Sequence, residues 1–238
     1  MMPILDTSMR ERIRAINDLA RVEMTSDAET RRVEIIMLTF KQPEVEVEAA
    51  KRIIENTEHP YKLVLYDNRP NSANTSRIWN KLIRESTCEY VLLIDSDAFV
   101  PKTSPCWLTR MMESIDETGI VIPVGDNVGG AHQKQSGALP YGTKTINRDI
   151  WSGYCFLVKK SVFDKVGYFD EQFYIYGQDS EWAFRSKNRG AVMRQDVFVA
   201  HKGSYSFMKE EEKGAVDREA DKVRARILYK KKTKNETV

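Results

Sequence analysis

The sequence predicts an α/β fold with a mostly parallel central sheet, and three features say so. Strand-like and helix-like segments alternate from residue 33 onward in units of about thirty residues. The strand segments are continuous apolar runs, as expected where helices cover both faces of a sheet. The chain has 238 residues, 41% of them hydrophobic and 30% charged, which is enough for one sizeable core.

The elements follow in order. Residues 6–24 place Met9, Ile13, Ile16, Leu19 and Ala20 at helical spacing, with Asp6 or Thr7 available to cap the start. "TSDAETRR" then reads as a linker. "VEIIMLTF" (33–40) is a β-branched first strand, and "PEVEVEAAKRIIENT" (43–57) a helix opened by Pro43, which suits a first turn. A second strand, "YKLVLYD" (61–67), leads to a second helix, "NTSRIWNKLIRES" (74–86), and a third strand, "YVLLID" (90–95). Residues 104–119 read as one helix ended by Gly119, and "IVIPV" (120–124) as a fourth strand.

The rhythm breaks at 125–147, a long polar and Gly-rich segment that reads as a loop and a candidate lid. A strand and short helix return within 149–167, a helix within 178–190 closed by Gly190, and a strand with a polar turn within 191–204. A charged helix over about 209–231 and a basic tail end the chain.

Composition excludes several classes. A formal charge of +2 is too small to suggest nucleic-acid or membrane binding. Cys88, Cys106 and Cys155 are too few and too scattered for a disulfide framework or a paired-cysteine zinc site. The N-terminus lacks the apolar run of a signal peptide, and no window reaches the length of a membrane span. The expectation is a soluble cytoplasmic protein.

In open α/β sheets, ligands bind beyond the carboxyl ends of the parallel strands. Here those ends carry Thr39, then Asp67 and Asn68, then Asp95 and Asp97. If strand geometry persists through Ser96, the two aspartates project to one side and repel each other unless a cation sits beside them. Hard divalent ions such as Mg²⁺ or Mn²⁺ take one or two carboxylates together with substrate phosphates. The competing reading is an acidic turn that simply closes a strand.

The blocks "VEIIMLTF", "LVLYDN", "YVLLIDSDAFV", "WSGYCFLVKKSVFDKVGYFDEQFYIYGQDSEWAFRSKNRG" and "VAHKGS" together resemble family 2 glycosyltransferases, which are inverting, DxD-containing enzymes of the GT-A fold. The similarity spans about residues 33–205, and its most specific part is the Gly-Tyr-Phe-Asp-Glu-x-Phe block with the Gly-x-Asp-x-Glu stretch behind it. It implies a Rossmann-like nucleotide-binding half (31–101) fused to an acceptor and catalytic half (102–205). A helix and linker (1–30) would precede this domain, and a charged helix with a basic tail (206–238) would follow it. The terminal helices are candidates for packing on the domain or for self-association.

The resemblance also implies roles. Thr39 and Asp67 would line the nucleoside pocket, with Asp67 on the base and Arg77 as a further donor contact. Asp95 and Ser96 would meet the sugar nucleotide, and Asp97, His201 and Asp95 would hold Mn²⁺ or Mg²⁺. Asp179 would be the general base, with Glu181 positioning the acceptor or standing in as base. Trp151 and Tyr176 would form an acceptor platform. The implied reaction moves a sugar from a nucleoside-diphosphate sugar to the hydroxyl of a glycan, a lipid-linked glycan, a protein or a modified nucleic acid.

Two departures stand out. Gln178 occupies the position where the family usually has Glu before the catalytic Asp, and "SRIWNKLI" lacks the family's Asn-x-Gly pattern. Two other readings compete. One is a nucleotide-sugar-binding module without catalysis. The other is a haloacid-dehalogenase-type phosphatase, which needs Thr or Val where Phe99 stands and its Asp-x-Asp near the start of the chain.

Overall fold

The computed structural model of the chain describes residues 31–39, 42–68, 74–130, 132–203 and 218–234. The helix expected over 6–24, most of its linker and the first part of the C-terminal helix lie outside the described residues.

Strand β1 (Val33–Thr39) lies between β2 (Tyr61–Asp67) and β3 (Tyr90–Asp95), parallel to both. Beyond β3 come β7 (Cys155–Lys159), β5 (Ile120–Val124), β8 (Ala191–Phe198) and β6 (Lys144–Asn147), giving a seven-stranded sheet in the order β2-β1-β3-β7-β5-β8-β6. β1, β2, β3, β5 and β8 run one way, while β7 and β6 run against them. The sheet is therefore mostly parallel, as the apolar strand runs predict.

Alternate residues of those runs go to opposite cores. Ile35, Met37, Leu92 and Ile94 pack against α1 (Pro43–Asn56), α3 (Trp107–Met112) and α4 (Ile115–Thr118). Ile36, Leu38, Val91 and Leu93 pack on the other face against α2 (Thr75–Glu85), α5 (Ser161–Val166) and α6 (Gln178–Ser186). Each such side chain contributes about 1.5–3 kcal/mol when fully buried, so both faces must be apolar and no polar alternation remains.

Two sequence expectations change. The single helix expected over 104–119 is two, α3 and α4, and Arg194 donates to Glu113 Oε2 and Ser114 Oγ between them, both at 3.1 Å. Gly119, at φ 79°, ends α4 as expected. The 125–147 segment is not a free lid. Gln133 is buried and donates to the carbonyls of Pro123 and Ser152, Leu139 donates to Gln195, and β6 pairs along β8.

The C-terminal helix α7 (Arg218–Lys234) packs on the domain. Asp221 Oδ2 accepts the backbone N–H groups of Ile175 and Tyr176, and Tyr229 meets Phe184 edge-on at 6.0 Å. The Gly-Tyr-Phe-Asp-Glu-x-Phe block is scaffold here. Ser76 Oγ donates to Phe173, and Asn80 exchanges hydrogen bonds with the backbone of Phe169, tying α2 to the segment that leads into α6.

Candidate functional site

Register places three strand ends at one edge of the sheet. Thr39 lies opposite Asp67, and Leu38 opposite Asp95. β3 stops at Asp95, so Asp97 does not stay in line by continued strand geometry, as the sequence reading supposed. Instead Ser96 and Asp97 form a turn into the two-residue strand β4 (Ala98–Phe99), which pairs antiparallel with β9 (Ala200–His201). That pairing sets Ala98 opposite His201, and Lys202 N–H closes it by donating to the Asp97 carbonyl at 3.1 Å. A residue over a hundred positions downstream is thereby delivered to the acidic turn.

His201 is held on several sides. Its Nδ1 lies 2.8 Å from the Asn127 carbonyl, which can only accept, so that nitrogen carries the proton. The ring stacks on Tyr154 with centroids 4.8 Å apart. Its backbone N–H donates to Asp126 Oδ1 at 3.0 Å, while Asn127 Nδ2 donates to the Lys202 carbonyl. The outcome is that Nε2 faces the two carboxylates, 3.3 Å from Asp97 Oδ1 and 3.5 Å from Asp95 Oδ2.

Nε2 is buried, and the two carboxylates facing it do not meet hydrogen-bond geometry. One ligand atom from each of Asp95, Asp97 and His201 lies within 4.8 Å of the others. Neighbouring ligands of an octahedral ion with bonds of about 2.1 Å sit about 3 Å apart, so only a small contraction is needed. Two carboxylates and one neutral imidazole form a donor set that a divalent cation can use, and the backbone carbonyl behind the ring is the outer partner that metal-bound histidines normally have. The residues fit a divalent cation.

The electrostatics agree. Burial pushes the Asp95 carboxyl up to about 6; His201 opposes this, and the charges of Asp97 and Asp179 add to it. Its side chain keeps 40% of its surface open, and water there softens the push. Burial would hold His201 neutral, but Asp95 and Asp97 outweigh it and lift its pKa to about 10. Without a cation, a proton takes that place.

Across the same cleft stands Asp179, in the first turn of α6 behind Gly177 at φ 86°. Its Oδ2 accepts the Gly153 N–H at 2.8 Å and its Oδ1 accepts the Ser180 N–H at 2.8 Å. Gly153 is needed for this approach, since a Cβ there would lie 2.5 Å from the Asp179 Cβ.

Of the residues expected from sequence, Asp95, Ser96, Asp97, Tyr176, Asp179 and His201 line this cleft. Thr39 and Asp67 sit at the same sheet edge but not in its lining; Thr39 Oγ1 donates to the Tyr66 carbonyl. Arg77 points elsewhere, with a 69% exposed side chain bonded to Glu171 at 3.3 Å. Glu181 is buried, and both its oxygens are taken by Arg185 at 2.7 and 2.8 Å. Trp151 is 2% exposed, its ring packed on Phe156 and Trp182. The sequence reading made it a platform because it flanks polar residues, but the tertiary packing of α6 claims it for the core.

Sequence reasoning missed Gly153, Asn127 and Trp79, and it named Asn68 only as a polar strand end. Gly153 carried a signal, a lone glycine between aromatics just before a strand; Asn127, in an unpatterned loop, carried none.

Neither a protein-family model nor a curated protein sequence matches this chain. Solved structures do. The crystal structure of GalNAc-T7 with UDP, GalNAc and Mn²⁺ superposes with a TM-score of 0.53 at 11% identity, covering 83% of this chain and 53% of that one. S. aureus TarS 1–349 gives 0.51 at 14% identity, and the same protein in complex with UDP gives 0.50, each covering 75% of this chain and 62% of that one. The chain thus spans less than two thirds of the length of these structures. These neighbours are GT-A glycosyltransferases, and this chain has their fold.

Proposed function

We propose that the protein is a metal-dependent, inverting glycosyltransferase that moves a sugar from a nucleoside-diphosphate sugar to an acceptor hydroxyl. The observation that carries this is the pairing of two kinds of group in one cleft. An Asp95–Asp97–His201 cluster, with the imidazole Nε2 turned to both carboxylates, stands at the end of β3, and Asp179 is fixed by two backbone N–H groups across from it. Residues 31–101 would bind the donor and 102–205 would supply the base and the acceptor side.

Asp95, Asp97 and His201 would hold Mn²⁺ or Mg²⁺, which when bound neutralises charge building on the departing nucleoside diphosphate. His201 presents Nε2 because Asn127 occupies the other nitrogen. Asp179 takes the proton of the acceptor hydroxyl as that oxygen attacks the anomeric carbon from the face opposite the leaving group. Inversion follows from this single displacement. Glu181, with both oxygens committed to Arg185, holds α6 in place and has no base role. The donor nucleotide of the neighbours, UDP in their structures, is the first to test.

A thermal-shift panel of nucleoside diphosphates and their sugars, with and without Mn²⁺, tests the reading. At least one nucleotide should stabilise the protein only with metal, and Asp97→Ala should abolish that shift. A panel with no shift for any nucleotide sinks it.

A further inference from the structure

Besides the hydroxyl of Tyr154, whose ring stacks on His201, the cleft wall contains three buried, uncharged polar groups without a hydrogen-bond partner among the described residues that the reaction above leaves unused. Asn68 is 1% exposed, Trp79 4% and Gln178 7%, and all three line the cleft that holds Asp95 and Asp179. Asn68 Oδ1, Trp79 Nε1 and Gln178 Oε1 are each buried without a hydrogen-bond partner among the described residues. One unmatched buried polar atom already costs stability, and native chains rarely carry three in one place. Such a cluster is expected where a ligand completes the bonds.

The donor and acceptor types narrow the ligand. Trp79 offers only an N–H, while Oδ1 and Oε1 offer only lone pairs. A phosphate oxygen has no hydrogen to give to an amide oxygen, so the cluster does not fit the diphosphate. A sugar hydroxyl both gives and accepts. Location agrees, because Gln178 adjoins Asp179 in the first turn of α6, beside the group that would act at the anomeric carbon. The Trp79 indole is also held in place, its ring packed on Phe169 at 5.4 Å and Phe156 at 6.3 Å.

We infer that Asn68, Trp79 and Gln178 form a neutral subsite that reads the hydroxyls of the transferred sugar. This rests on the transferase reading and adds to it which residues set sugar identity. It also gives a role to the amide at 178, where a carboxylate would add a fourth negative charge to a cleft that already holds Asp95, Asp97 and Asp179. A site built to hydrogen-bond hydroxyls discriminates strongly against sugars that leave its groups unpaired.

The test is calorimetric titration of the full chain in Mn²⁺ with UDP and GDP, and with their glucose, galactose, mannose and N-acetylhexosamine conjugates. Wild-type protein should prefer one conjugate over the others. Trp79→Phe and Gln178→Met should each weaken that conjugate by about tenfold, the loss of one hydrogen bond, and change the free nucleotide by less than about twofold. Asn68→Ala is the third variant, and a melting curve for each confirms that it folds. Equal weakening of nucleotide and conjugate, or no weakening in folded variants, overturns the subsite while leaving the transferase reading intact. Wild-type protein that binds none of these compounds overturns both.

Discussion

Gly153→Ala is a test of the catalytic geometry made without touching a charged group. An alanine Cβ at this position would lie 2.5 Å from the Asp179 Cβ, 3.3 Å from its Oδ2 and 3.4 Å from its Cγ. Non-bonded carbons settle at about 3.5–4.0 Å, so the two chain segments must separate by about 1 Å. No rotamer relieves the clash, because both carbons are attached directly to backbone. The separation also stretches the 2.8 Å bond from Gly153 N–H to Oδ2.

Overpacking of this kind costs about 1–3 kcal/mol of stability, and a 1 Å misplacement of a reacting group costs about a hundredfold in rate. The assay is metal-dependent release of nucleoside diphosphate from the donor sugar, per folded molecule, beside a thermal melt. Gly137→Ala is the control, since a Cβ there meets nothing within 4 Å. Gly153→Ala protein with wild-type rate and melting temperature would refute the placement of Asp179.

Other outcomes separate the roles assigned above. Asp179→Asn should lower turnover by about 10²- to 10⁴-fold with nucleotide affinity unchanged, as measured by titration and initial rates. Glu181→Gln should do the reverse: breaking its buried pair with Arg185 costs about 3 kcal/mol in a denaturant melt, while turnover per folded molecule stays level. The pH dependence of metal-free stability should trace to His201. Its folded value of about 10 lies above its ordinary 6.5, so its charged form stabilises fully below pH 6.5 and that stability is lost as pH rises through 10. Asp95, raised from 3.8 to about 6, imposes its cost as pH climbs through that lower window and adds no slope above it. Melts in chelator should therefore fall between pH 7 and 10, and His201→Gln should flatten them; an unchanged slope in that variant contradicts the assignment.

Much of the fold was legible because the strands are continuous apolar runs and the helices amphipathic, and these local signals survive folding. The acidic turn was legible as well, since an apolar strand running into Asp95 and Asp97 is conspicuous in one dimension. What eluded sequence reasoning depends on packing partners. Trp151 and Glu181 carry the residue types of a sugar platform and a base, yet one is absorbed by the aromatic core around Trp182 and the other by Arg185. β4 and β9 have two residues each, too short for any periodicity to register.

By itself the sequence determined the alternation of the main strands and helices, the polar strand ends and the presence of Asp95, Asp97, Asp179 and His201, because residue type and spacing are local properties. The tertiary structure alone decided how they meet. The β4–β9 pairing carries His201 to the acidic turn, the Asn127 carbonyl turns its free nitrogen toward the carboxylates, and Gly153 lets Asp179 close in from the far side. Each of these is a contact between residues far apart in the chain, set by register and close packing, and no local pattern encodes it.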